Sequence, residues 1–171
     1  MDLSPYHGAI VFVHVAGVLM FVLGHGISAG VLWRLRSERD PAAVRTLLDF
    51  SRRSMNFMSI GLAIWFFSGI LAGFSGNGGG GWWTSGRYWI WAALGVALLI
   101  AIAMTPLGRL YLNRIRVAVG VDPRTGAINA ERAVDAAALE AAIASGRPML
   151  VVGLGLGGLL VLTWLMIVKP F

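Results

Sequence analysis

The apolar pattern of this chain is broken only where charges fall. Residues 3–33, 54–86, 88–108 and 148–168 contain no Asp, Glu, Lys or Arg. A helix needs about 20 apolar residues to cross a ~30 Å hydrocarbon core, so each stretch has room for one span. Ser75 to Gly86 (SGNGGGGWWTSG) is too rich in glycine for a helix and reads as a loop. The spans are therefore predicted at 8–33, 54–74, 88–107 and 149–168. Strand-like alternation is absent, so helices rather than a barrel satisfy the backbone in lipid. The expected fold is all-α: one membrane domain over 1–171, an antiparallel bundle of four transmembrane helices.

The segments between the spans carry their own signals. Asp40-Pro41 has the form of a helix start, with Asp as N-cap and Pro in the first turn. Helix 2 is expected to begin there and run into the membrane. Pro106 is expected to kink or end helix 3. Asp122 to Gly126 (DPRTG) reads as a turn. Residues 130–145 are alanine-rich and predict a helix closed by Gly146 and Pro148. Its apolar face is weak, so it is expected to lie on the membrane rim.

Composition agrees with the pattern. Of 171 residues, 57% are apolar and 13% charged, and the soluble average is near 25% charged. Mean hydropathy is +0.76. A soluble 18.3 kDa domain has too much surface to hide that apolar share. The chain is read as an integral, multi-pass membrane protein. There is no Cys, which excludes disulfides, thiolate metal sites and covalent haem attachment.

Charge sets the expected orientation. Of the 14 Lys and Arg residues, all but Arg87 and Lys169 lie in the segments 34–53 and 108–148. Basic loops stay in the cytoplasm, so both termini are predicted to be extracytoplasmic. The net charge of +6 follows from this bias. Anionic lipid headgroups suffice as partners for these arginines, and nucleic acid is not an expected partner. Residues 1–4 hold Asp2 and no basic residue, so the first helix is predicted to be retained rather than cleaved. The tryptophans at 33, 82, 83, 89, 91 and 164 fit interfacial belts.

Glycines mark expected helix contacts. Gly26 with Gly30, Gly69 with Gly73, and Gly153 with Gly157 form small-xxx-small pairs, for packing within the bundle or between protomers. A homo-oligomer or a larger membrane complex is the expected assembly. Gly153, Gly155 and Gly158 match G-x-G-x-x-G, but no strand precedes them and they lie inside a span, so dinucleotide binding is not implied.

The chemistry-bearing residues are His7, His14 and His25, the only histidines. Spacings of 7 and 11 residues return each to within about 20° of the last on a helix. His14 and His25 are then ~16 Å apart along the axis, too far to share an ion. Two readings stand: neutral imidazoles hydrogen-bonded to a Ser, Asn or carbonyl on a neighbouring helix, with Ser59, Ser68, Asn56, Thr105 and Thr163 as side-chain candidates, or ligation of haem b by His14 or His25. A haem needs one His, with a Met or an open position opposite, and Met58 and Met104 lie near the predicted depth of His25. A copper-handling protein is a further alternative. No nucleophile–base pair, carboxylate dyad or phosphate loop is visible, so hydrolase or kinase chemistry has no support.

The run HVAGVLMFVLGHG (His14 to Gly26), the following RLRSERDP (Arg34 to Pro41) and the ending WLMIVKPF resemble a family of small bacterial four-helix membrane proteins of unknown function. That family is distantly similar to the copper-resistance protein D group and to the HemJ-type protoporphyrinogen oxidases. The resemblance implies that His14 matches their helix-1 histidine, a haem ligand in the HemJ-type group. The intramembrane lysine of that group has no counterpart here. The functional expectation is a haem-b-binding or redox-associated protein, or an accessory subunit of an electron-transfer complex. The alternative is a non-catalytic assembly protein with structural histidines.

Overall fold

The computed structural model describes residues 2–76, 81–83, 87–129 and 132–170. The loop predicted at 75–86 falls partly outside them, as do Ala130 and Glu131 at the start of the predicted 130–145 helix. After a short 3-10 turn, the described residues form five helices: α1 (His7–Leu35), α2 (Pro41–Ser75), α3 (Tyr88–Ala118), α4 (Ala136–Ile143) and α5 (Arg147–Val168). Four helical stretches are long and apolar enough to cross a membrane: Ser4–Leu35, Pro41–Ser75, Tyr88–Ala118 and Ala136–Val168.

The helices outrun the predicted spans at the arginine-rich end. Asp40 caps α2, its carboxylate accepting from the amides of Ala42 and Ala43 at 3.3 and 3.0 Å. From there α2 runs for 35 residues, about 52 Å, well beyond a ~30 Å core. α3 does not end at Pro106 but continues through it to Ala118. Proline removes one helical hydrogen bond, and the burial of Tyr111, Leu112 and Ile115 beyond it outweighs that loss. α2 thus begins where Asp40-Pro41 places it, while α3 extends as helix into the segment after its predicted span.

The arginine-rich end also holds the main core. Leu35, Val44, Leu48, Tyr111, Ile115 and Val119 pack there with Leu139, Ala142 and Ile143 of α4. α4 is shorter than the helix expected over 130–145, and its apolar face is inserted into this core. Asp135 caps it, accepting from the Ala138 amide at 2.9 Å. Pro148 does not close α4; it opens α5 and is buried. Arg39 and Glu140 form an exposed ion pair between the α1–α2 corner and α4.

Within the membrane the helices form two antiparallel pairs. Along α1 and α2, contacts run His7–Ser75, His14–Trp65 and Ser28–Ser54, rising on one helix as they fall on the other. α3 and α5 meet through Ala93, Ile100, Leu162 and Leu165, and Trp65 of α2 packs on that cluster. In the most apolar window of each span only 11–28% of residues are buried, so most of the surface faces lipid or another chain.

The glycine contacts fall only in part at the positions the spacing predicts. A Cβ on Gly26, Gly30, Gly153 or Gly157 would meet no atom within 4 Å, so these four do not pack helices inside the protomer. The close approaches lie at Gly17, Gly24 and Gly61 between α1 and α2, and at Gly155 and Gly158 on α5. Gly69 accommodates the ring of His14, and Gly73 the indole of Trp83.

The tryptophan-rich end is tied together rather than simply belted. Trp82 stacks edge-on to Trp89, and Trp83 to Trp91, at ring separations of 6.1 and 5.4 Å. Arg87 lies 4.2 Å above the Trp82 ring and the Lys169 ammonium lies 4.8 Å from it. Trp33 at the opposite end stays exposed beside Arg36, as a belt residue would.

Candidate functional site: the histidine seam of helix α1

α1 carries hydrogen-bonding groups along an otherwise apolar surface. His7 Nδ1 lies 2.9 Å from Ser75 Oγ. Ser75 Oγ also reaches the carbonyl of Ala72 at 3.3 Å. If that hydroxyl proton goes to the carbonyl, the imidazole N–H is the donor to the oxygen. Lower on the helix, Ser28 Oγ bonds Ser54 Oγ at 2.9 Å. Each of these contacts crosses from α1 to α2.

His14 is half-buried between them. Its Nδ1 lies 3.0 Å from the carbonyl oxygen of Trp65. A carbonyl only accepts, so Nδ1 carries the proton and the neutral ring keeps its lone pair on Nε2. Nε2 has no hydrogen-bond partner among the described residues. The ring lies close against α2 because Gly69 has no side chain: a Cβ there would sit 2.9 Å from His14 Cε1.

His25 is placed differently. It is 8% exposed and stacks on Phe21 with ring centroids 6.0 Å apart. Its Nε2 is buried without a hydrogen-bond partner among the described residues. A Cβ on Gly155 of α5 would lie only 2.3 Å from that nitrogen and 3.0 Å from the Met104 methyl group. The histidine stripe thus does not present one common surface: His14 turns to α2 and His25 to α5. Placing iron at His25 Nε2 would require α5 to move away, because metal–nitrogen bonds are about 2 Å long.

The methionines follow the same division. The Met58 backbone and Cβ pack against Gly24, and Met104 reaches Gly155 beside His25. Neither is placed opposite His14, ~16 Å along α1 from His25. The hydroxyls proposed for the histidines go elsewhere: Ser59, Ser68, Thr105 and Thr163 each donate to the carbonyl four residues earlier. This local bond satisfies a hydroxyl inside a helix without any partner helix. Of the partners expected for a neutral imidazole, His14 meets the backbone carbonyl.

No group of three His, Asp or Glu stands close enough to hold a metal ion among the described residues. The fold and this seam define an all-helical, multi-pass membrane protein with imidazoles lodged between its helices. No family model matches the chain, and neither a curated protein nor a solved structure is similar to it.

Proposed function

We propose that this is a multi-pass protein of a bacterial inner membrane that carries a haem b, or serves as a haem-associated subunit of an electron-transfer complex, through His14. One observation carries the reading: Trp65 O holds the His14 Nδ1 proton while Nε2 keeps an uncommitted lone pair. Haem ligands are typically arranged this way, with the second ring nitrogen donating to a carbonyl that orients the ring and raises its basicity. Gly69 adds a face without a side chain beside the ring. Bound at His14, a haem would supply one-electron transfer, while Trp65 O and Gly69 set the ring orientation. Met58, Met104 and His25 fit as packing groups rather than as its second ligand.

The test is the visible spectrum of protein purified after expression with ample haem. A Soret band that is lost or shifted in His14→Ala and kept in His7→Ala is the expected result. A colourless protein overturns the haem reading.

A second reading has its own observation. His7–Ser75, His14–Trp65 and Ser28–Ser54 together form a ladder of polar ties between α1 and α2. In that case the histidines are structural, as in a non-catalytic assembly protein. His14→Ala then lowers stability by ~1–2 kcal/mol, the loss for a buried hydrogen bond, in a protein without pigment.

A further inference from the structure

At the arginine-rich end, a cavity of about 160 Å³ opens between α2, the end of α3 and the 121–128 loop. Arg45, Asp49 and Arg52 line it from α2, Arg116 from α3, and Val121 and Ile128 from the loop. The loop is closed by an antiparallel bridge between Val121 and Ile128. Gly126, at φ 76°, brings its backbone against the Arg52 guanidinium, where a side chain would collide.

The charges around this cavity do not cancel. Arg45 Nε donates to the Val119 carbonyl at 2.8 Å, Arg52 donates to the Thr125 carbonyl, and Arg116 donates to Asn113 Oδ1 at 3.0 Å. Every one of these acceptors is neutral. Among the residues that line the cavity the single carboxylate, Asp49, is already engaged by Arg53 at 2.9 Å. A guanidinium has five N–H donors, so each of the three arginines keeps most of its fork unspent. Like charges gathered at one site repel, and an anion among them reverses the sign of that interaction.

The position of the site narrows the anion. Arg52 adjoins the charge-free run that begins at residue 54, which places it where hydrocarbon gives way to headgroups. Arginine forks match phosphate oxygens bidentately, and basic pockets between transmembrane helices hold phosphate headgroups. We propose that this cavity binds a phosphate-bearing anion, held by Arg45, Arg52 and Arg116.

The experiment uses the full chain in phosphatidylcholine nanodiscs and reads the thermal midpoint. One arm raises the share of phosphatidylglycerol; the other adds inorganic phosphate at constant ionic strength. Stabilisation by phosphatidylglycerol alone identifies a lipid headgroup as occupant, and stabilisation by inorganic phosphate identifies a free anion. Either supports the site. Arg116→Gln is the deciding variant, because the Arg116 hydrogen bond stays within its own helix and no tertiary bond is lost. It is expected to weaken the response about fivefold. Arg114→Gln, an exposed arginine two residues away with the same charge loss, is expected to leave the response within about twofold. No stabilisation in either arm, or equal loss in the two variants, overturns the proposal.

Discussion

Gly17, Gly24 and Gly61 have no room for a Cβ. On Gly61 it would lie 2.6 Å from the Phe21 amide nitrogen and 3.0 Å from the Gly17 carbonyl, both of them backbone atoms that cannot rotate away. Gly61→Ala is therefore expected to push α1 from α2 and cost ~1–3 kcal/mol, more than the ~1 kcal/mol that alanine gains in helix propensity. Gly157→Ala meets nothing within 4 Å and is expected to leave protomer stability unchanged or slightly raised. Thermal unfolding of both variants in one detergent compares them. Greater loss at Gly157 would move the important contact to a surface between protomers. A seven-residue spacing, Gly17 to Gly24, is the sequence signal for this seam. The four-residue spacing at Gly26–Gly30 and Gly153–Gly157 selects glycines on open faces instead.

The 121–128 loop shows how one side chain organises an element. Asp122 Oδ1 accepts from the amides of Thr125 and Arg124 at 2.7 and 2.8 Å and from the Thr125 hydroxyl at 3.0 Å. These donors, the Thr125 amide foremost, hold its carboxyl below the usual carboxylate range. A depressed folded value means stabilisation that is present above the ordinary carboxylate pKa and lost as pH falls through the folded one. Hydrogen exchange at the Arg124 and Thr125 amides is therefore expected to be slowed at neutral pH and to lose that protection only as pH falls below the ordinary carboxylate range, after correction for intrinsic rates. Asp122→Asn should remove the pH dependence. α4 teaches the complementary lesson at this scale. The 130–145 pattern shows only a weak apolar face, yet Leu139, Ala142 and Ile143 of α4 join the core formed with α1, α2 and α3.

Across the whole molecule, packing is uneven: dense at the arginine-rich end and sparse along the spans. α1–α2 and α3–α5 are close pairs, joined to each other by Trp65 on the α3–α5 cluster and by His25 against Gly155. Orientation belongs to this scale as well. The charge bias places twelve of the 14 basic residues at one end, and we propose that this end is cytoplasmic with both termini outside. Reporters fused at the C-terminus and inserted within 122–128 are expected to report opposite compartments. Matching compartments would require an odd number of spans and contradict four.

Charge-free length and composition were enough to read an all-helical chain with four membrane-crossing stretches, because the hydrocarbon demands long apolar helices whatever the tertiary fold. Asp40-Pro41 was enough to start α2, because a cap is a local interaction. Where α3 stops was not legible: Pro106 is a local signal, and the burial of Tyr111 and Ile115 is a distant one that overrides it. The histidines divide in the same way. Their common stripe follows from helical period, but the partner of each depends on which helix lies opposite. Only the tertiary structure decided that His14 meets a backbone carbonyl of α2 while His25 meets a glycine of α5, because lipid-facing and helix-facing apolar residues are alike in sequence.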